Sequence, residues 1–252
     1  MPTRASKWLR RWRQTAGDLL LPPSCALCQT PLVLGRRPVL LCAACRHQIG
    51  PADLQWCVHC GHVFSTKLRL AEERLRCPWC PAQPFRFAAA YPLGSYDGLR
   101  RDAVLTMKQA AHQVLAVHVG RLLGWRMQQR WIHDDPPDVI VPIPKHWLRR
   151  LWRGTNSAEC LAEGISHSWD VPWIADGLRF NRLTEKQSLL SQSARRKNLR
   201  QAFSVSPKYA FADRSILLVD DLMTTGTTSD EAARALLAAG ARRVDVAIVC
   251  RA

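Results

Sequence analysis

The chain has 252 residues, 47% of them hydrophobic, and 36 Lys and Arg against 20 Asp and Glu give it a formal net charge of +16. That is room for one large domain, or one medium and one small, with a true core, and the charge favours polyanionic partners without choosing among them. No run of apolar residues is long enough to span a membrane, and the N-terminal region lacks the apolar core of a signal peptide, so neither insertion nor export is expected.

Residues 1–21 read as a basic amphipathic helix or arm. Trp8, Leu9, Trp12, Ala16 and Leu19 recur at helical spacing, with Arg4, Lys7, Arg10, Arg11 and Arg13 around them. Such a segment can dock on the protein body, stay loosely ordered, lie on anionic lipid or stack on exposed bases. The expected location is the cytoplasm, peripheral to the inner face of the membrane if the segment takes the lipid.

Residues 22–83 hold four C-x2-C pairs: Cys25/Cys28, Cys42/Cys45, Cys57/Cys60 and Cys77/Cys80. Eight thiolates suit two zinc ions in tetrahedral sulfur cages. A disulfide framework would need an oxidising compartment, for which the sequence offers no support. Pairing in chain order makes two successive ribbons and is favoured; interleaved pairing would make a cross-brace. His47, His59 and His62 are then bystanders, and the isolated Cys160 and Cys250 read as buried, inert thiols. The segment is short of aliphatic clusters, so metal must supply its folding free energy, and chelation is expected to unfold it and spare the rest.

From residue 84 strands and helices alternate. Strands are expected over residues 87–96, 139–143, 171–174, 216–219 and 243–249. Helices are expected over 114–131, 156–168 and 229–239, with YDGLRRDAVLTMKQ opening a helix or connection and DDPP at 134–137 a break. Alternation of this kind implies a mainly parallel sheet flanked by helices. After the second strand, VPIPKHWLRRLWRGTN sets Lys145, Arg149, Arg150 and Arg153 behind two prolines. Cations so clustered suit a pyrophosphate. They also suit a solvated helix face or, with Trp147 and Trp152 between them, a strip for nucleic acid.

The stretch ILLVDDLMTTGTT, residues 216–228, sets a buried strand, two acids and a Thr-Gly loop ahead of a helix. Gly226 allows close backbone approach, and the hydroxyls of Thr224, Thr225, Thr227 and Thr228 add donors at a helix N-terminus, a place suited to a phosphate. Asp220 and Asp221 would repel that phosphate but can hold sugar hydroxyls or a hydrated Mg²⁺. Phosphoribosyl pyrophosphate (PRPP) combines a phosphate, a vicinal diol and a magnesium-bound pyrophosphate.

This stretch resembles the PRPP motif of type I phosphoribosyltransferases. Taken with LLLPPSCALC, YDGLRRDAVLTMK, VPIPKHWLRRLWRGTN and the spaced set Thr184, Gln187, Leu190, Arg196, Asn198 and Phe203, the chain resembles the ComF family along nearly its whole length. The resemblance implies an α/β type I phosphoribosyltransferase fold over 84–252, preceded by a double zinc ribbon over 22–83. It implies two structural zinc ions and Mg²⁺ with PRPP. Asp220 and Asp221 would hold the ribose hydroxyls and the metal, as the catalytic pair. Thr224, Thr225, Gly226, Thr227 and Thr228 would hold the 5-phosphate, with Lys145 and Arg149 on the pyrophosphate. Thr224 stands where some purine enzymes carry a catalytic acid, so the two Asp read as ligand-holding groups and not as proton movers.

The implied activity is transfer or sensing of a phosphoribosyl group, linked to uptake or utilization of external DNA. The implied partners are PRPP, single-stranded DNA and a competence helicase or ATPase. The chain reads RGTNSAE where the family usually reads RGFNQAE, which points to an altered acceptor pocket if Thr155 and Ser157 shape it. The alternative is a non-catalytic zinc-ribbon scaffold that binds single-stranded DNA and senses PRPP. A purely structural zinc adaptor would leave the DD and TTGTT residues without a purpose.

Overall fold

The computed structural model describes residues 24–32, 40–64, 76–144, 156–180 and 201–252. The arm over 1–21, the cations Lys145 and Arg149, Thr155 and the spaced set from Thr184 to Asn198 lie outside them. The chain divides into two compact units, residues 1–46 and 47–252.

In the first unit the Cys25 knuckle is closed by a bridge between Ser24 and Pro31. The Cys25 N–H donates to Thr30 O at 2.8 Å, and Gln29 takes a left-handed φ of 59° to make the turn. Helix α1, Ala43–Ile49, starts directly after Cys42.

The second unit opens with β1, Gln55–Trp56, and β2, Val63–Phe64, an antiparallel pair around the Cys57 knuckle. The main sheet follows, built from β3 (Ala90–Ser95), β4 (Val139–Pro142), β7 (Ser215–Met223) and β8 (Arg243–Arg251). Its order is β3-β8-β7-β4 and every neighbouring pair is parallel, the topology that α/β alternation predicts. Residues 171–174 supply only one bridge, Trp173 to Ile140. Pro172 O accepts from Ile140 N–H and Ile174 N–H donates back to Ile140 O, each at 2.9 Å, but Pro172 has no N–H with which to carry the ladder toward Asp138.

Four helices pack on the sheet strands and on one another: α2 (Gly98–Met107), α3 (Gln113–Gln128), α4 (Ser157–Trp169) and α5 (Thr227–Ala238). DDPP falls between α3 and β4, as a break should. Asn156 caps α4, its side chain accepting from Ala158 N–H at 3.3 Å. Helices α3 and α4 cross at Gly120 and Gly164, where a Cβ on either glycine would collide with the other helix's backbone. On one face of the sheet Ile216, Leu218, Val246 and Ile248 share a buried cluster with Ala232 and Leu236 of α5. Apolar side chains at alternate strand positions are what place that helix.

A second antiparallel pair, β5 (Leu178–Phe180) with β6 (Phe203–Val205), has no counterpart in the sequence reading. Two three-residue strands far apart in the chain carry neither a hairpin turn signal nor enough alternation to register.

Candidate functional site

Strand β7 runs four residues past its apolar stretch, because Asp220, Leu222 and Met223 stay in register with Ile248, Cys250 and Arg251 of β8. The ladder therefore holds both acids, ahead of the loop. Successive residues of a strand point to opposite faces, so the two carboxylates diverge. Asp221 is 5% exposed and accepts a 2.5 Å hydrogen bond from Ser157 Oγ at the start of α4. Lys108, just beyond α2, brings its Nζ to 4.0 Å from the other Asp221 oxygen. Asp220 is half-buried, and its Oδ1 accepts from Asp221 N–H at 2.8 Å.

The loop turns into α5 at Gly226, which has φ 77° and serves as N-cap. A Cβ there would sit 2.6 Å from Phe85 Cζ, so glycine is demanded by both conformation and space. The first helical bond is Asp230 N–H to Gly226 O at 2.9 Å. The first-turn amides before it have no intrahelical acceptor; Thr227 N–H makes a long 3.5 Å bond to Thr225 Oγ1, and glycine brings no capping side chain, which suits this helix start to an external anion. Thr225 and Thr227 hydroxyls lie 2.9 Å apart beside it. Asp230, in the same turn, would oppose an anion, but Arg86 engages both its oxygens through backbone N–H at 2.6 Å and guanidinium at 2.7 Å. Of the predicted PRPP residues, the described ones thus lie together at the carboxyl end of the parallel sheet, where α/β folds bind ligands. Strand β4 ends alongside them, Ile143 N–H donating to Val219 O at 2.9 Å.

The cysteines gather in chain order into two quartets, Cys25, Cys28, Cys42 and Cys45, then Cys57, Cys60, Cys77 and Cys80. These are two successive Cys₄ zinc-ribbon sites, and none of the three histidines joins either. Tetrahedral zinc with bonds of about 2.3 Å sets its sulfurs about 3.8 Å apart. The structure has 3.6 Å for Cys28–Cys42 and for Cys57–Cys80, 3.4 Å for Cys60–Cys77 and 3.7 Å for Cys77–Cys80, far beyond a disulfide. A hydrogen bond from Cys60 pulls the Cys57 thiol down to about 4, while the Cys57 thiolate and burial push Cys60 up. Thiols this close cannot all ionise without a cation among them, so the donor set fits zinc. Cys250 is fully buried in β8 and burial pushes its thiol up to about 12, as an inert core residue requires.

Sequence reading missed the partners of the acids and the supports of the loop: Lys108, Phe85, Arg86 and Arg251. Each is remote in sequence from the motif. Ser157 stood out only as a departure in RGTNSAE, and its contact with Asp221 gives that serine a place in the site. Ser157→Ala is expected to cost about 1–3 kcal/mol in a denaturant titration, because a buried carboxylate loses a donor. Ser157→Thr, which keeps the hydroxyl, should recover most of it.

A profile of double zinc ribbon domains matches residues 16–81, and one of phosphoribosyl transferase domains matches residues 110–252. The chain is 30% identical over 236 residues to the DNA utilization protein YhgH of Escherichia coli O157:H7, covering 92% of this chain and 99% of that protein. It is 28% identical over 215 residues to Competence protein F of Haemophilus influenzae, covering 84% and 90%. A narrower match, 27% over 129 residues, joins 51% of this chain to 23% of the amidophosphoribosyltransferase of Pasteurella multocida. With both domains matched in order and relatives aligned almost end to end, the chain belongs to the ComF family, a double zinc ribbon followed by a type I phosphoribosyltransferase fold.

Proposed function

We propose that the site at the end of β7 binds PRPP with Mg²⁺ and that the protein transfers its phosphoribosyl group to an acceptor. The observation that carries this is the placing of Asp220 and Asp221 on a strand end that leads directly into the Gly226-capped N-terminus of α5. In this reading the first-turn amides and the hydroxyls of Thr224, Thr225, Thr227 and Thr228 hold the 5-phosphate. Asp220 holds the ribose hydroxyls, Asp221 anchors the strand end through Ser157, and Mg²⁺ would neutralise charge on the pyrophosphate. Lys145 and Arg149, in the chain that follows β4, would steady the leaving group. During transfer the bond from ribose C1 to pyrophosphate breaks as the acceptor's bond forms; in this reading the acid meets the charge developing on the ribose, and the cations meet that on the pyrophosphate. Calorimetric titration of the zinc-loaded protein with PRPP tests this: binding should appear with Mg²⁺ and vanish without it. Absence of binding by the folded protein would end the transferase reading.

The names of the relatives, DNA utilization protein and Competence protein F, support a role in the uptake or use of external DNA. One structural observation favours a second activity, binding of single-stranded DNA. Trp79, in the last knuckle of the second ribbon, is 54% exposed and stacks on His62 with centroids 4.2 Å apart, a flat aromatic face on a strongly basic chain. Oligonucleotide affinity is then expected to fall steeply with salt, with a log–log slope of about −0.7 for each phosphate neutralised. Trp79→Ala should weaken it by about 1–3 kcal/mol without altering that slope. A flat salt response would remove DNA as a partner.

A further inference from the structure

Arg251 ends β8 and touches two sites at once. Its Nε donates to Cys60 O at 3.0 Å, and its Nη1 donates to Met223 O at 3.3 Å and to Thr224 O. Cys60 belongs to the second zinc quartet, whereas Met223 and Thr224 open the Thr-Gly loop. A guanidinium carries its donors in a rigid planar fork, so it serves these three carbonyls, along with that of Ala252, only while they keep their relative positions.

The same knuckle presses on the same place by other contacts. Gly61, next to Cys60, lies so close that a Cβ would reach 3.2 Å from Met223 Cε and 3.3 Å from Ala90 Cβ. Val58 O accepts from Ala90 N–H at 2.7 Å, joining the knuckle to β3. Phe85 packs against the buried cluster of Cys57, Cys60, Cys77 and Phe64, and its ring also covers Gly226. The second zinc knuckle is thus tied to the loop twice, at Met223 and Thr224 through Arg251 and at Gly226 through Phe85.

We propose that Arg251 is a positioning residue that couples zinc occupancy of the second quartet to the conformation of the 223–226 loop, so that PRPP affinity depends on that zinc. The ligand named here rests on the PRPP reading above; the coupling itself does not. A cage of four thiolates fixes the Cys60 carbonyl, the carbonyl fixes the guanidinium, and the guanidinium fixes the loop. Without zinc the knuckle relaxes and the fork loses its outer anchor.

The test compares wild type with Arg251→Lys, Arg251→Gln, Cys80→Ser and the Arg251→Lys, Cys80→Ser double variant, by zinc content, amide exchange and PRPP calorimetry. Lysine keeps the charge but not the fork. Arg251→Lys is expected to retain two zinc ions and the exchange pattern of the sheet. Its amides at 224–227 should exchange about tenfold faster, with PRPP bound about tenfold more weakly, the scale of one charge-assisted hydrogen bond. Arg251→Gln should show the same local change, larger. Cys80→Ser, with one zinc lost, should loosen the same amides, and the double variant should add little beyond either alone. Unchanged protection at 224–227 in Arg251→Lys would overturn the proposal, as would effects of the two substitutions that multiply independently. If wild type binds no PRPP, the proposed function fails by itself, and the exchange comparison still decides the coupling.

Discussion

The Asp220→Asn, Asp221→Asn double variant is expected to show no Mg²⁺-dependent PRPP binding at concentrations that saturate the wild type. Hydrogen bonds to charged groups are worth about 1.5–3 kcal/mol each, so a carboxylate that accepts from two ribose hydroxyls, the role proposed for Asp220, accounts for roughly 3–6 kcal/mol, or about 10² to 10⁴ in affinity. Asparagine is chosen because its carbonyl can still accept from Ser157 Oγ, the buried 2.5 Å contact that ties β7 to α4. The fold should therefore survive at a lower melting temperature, which an unchanged far-ultraviolet circular dichroism spectrum and a still cooperative thermal transition would verify. Of the single variants, Asp220→Asn should cost more binding and Asp221→Asn more stability, since Asp220 is half-buried while Asp221 is 5% exposed and held by protein groups. Undiminished affinity in the double variant would remove the carboxylates from the ligand and the proposed site with them.

Zinc removal is the second large effect. Structural Cys₄ sites contribute about 10–16 kcal/mol, comparable with the 5–15 kcal/mol that a whole domain keeps in reserve. From the sequence, chelation is expected to melt residues 22–83 alone. The packing predicts two different outcomes for the two sites. The first quartet lies in the unit formed by residues 1–46, and its loss should be local to that unit. The second quartet lies in the unit that contains the sheet. Trp56 Nε1 donates to Ala90 O at 2.9 Å, and Phe85 joins the cysteine cluster to the main core. Even about 5 kcal/mol lost there would lower the melting temperature of the sheet by roughly 10–20 °C. Stepwise chelation followed by zinc assay and near-ultraviolet circular dichroism separates the two sites. A sheet transition that stays put after both metals leave would show the second ribbon to be a passenger.

These outcomes bear on how much of the protein can be read from its residues. The zinc ligands were legible because C-x2-C pairs are local, and the spacing itself carries the chemistry. The same is true of the strand-acid-loop-helix order at 216–228, where each residue type answers a need within a few positions of itself. The parallel sheet followed from alternation of short apolar runs with helical ones. Strand 171–174 came down to a single bridge, with Pro172 closing off its N-terminal side; the proline was visible in the sequence but its neighbour Ile140 was not.

What only the tertiary structure decided depends on contacts between distant residues. Ser157 meets Asp221 across 64 positions, Arg86 meets Asp230 across 144, and Arg251 meets Cys60 across 191. No local pattern encodes such pairs, because their partners are chosen by strand register and helix packing. The amino-acid sequence by itself determined which residues can hold zinc, and it supplied the acid and Thr-Gly pattern on which the sugar-phosphate proposal rests. The fold decided that the two acids point apart and that Arg251 bonds both the start of the Thr-Gly loop and the Cys60 knuckle. The physical reason is that ligand chemistry belongs to side-chain type and spacing, whereas support comes from side chains that burial brings together from far along the chain.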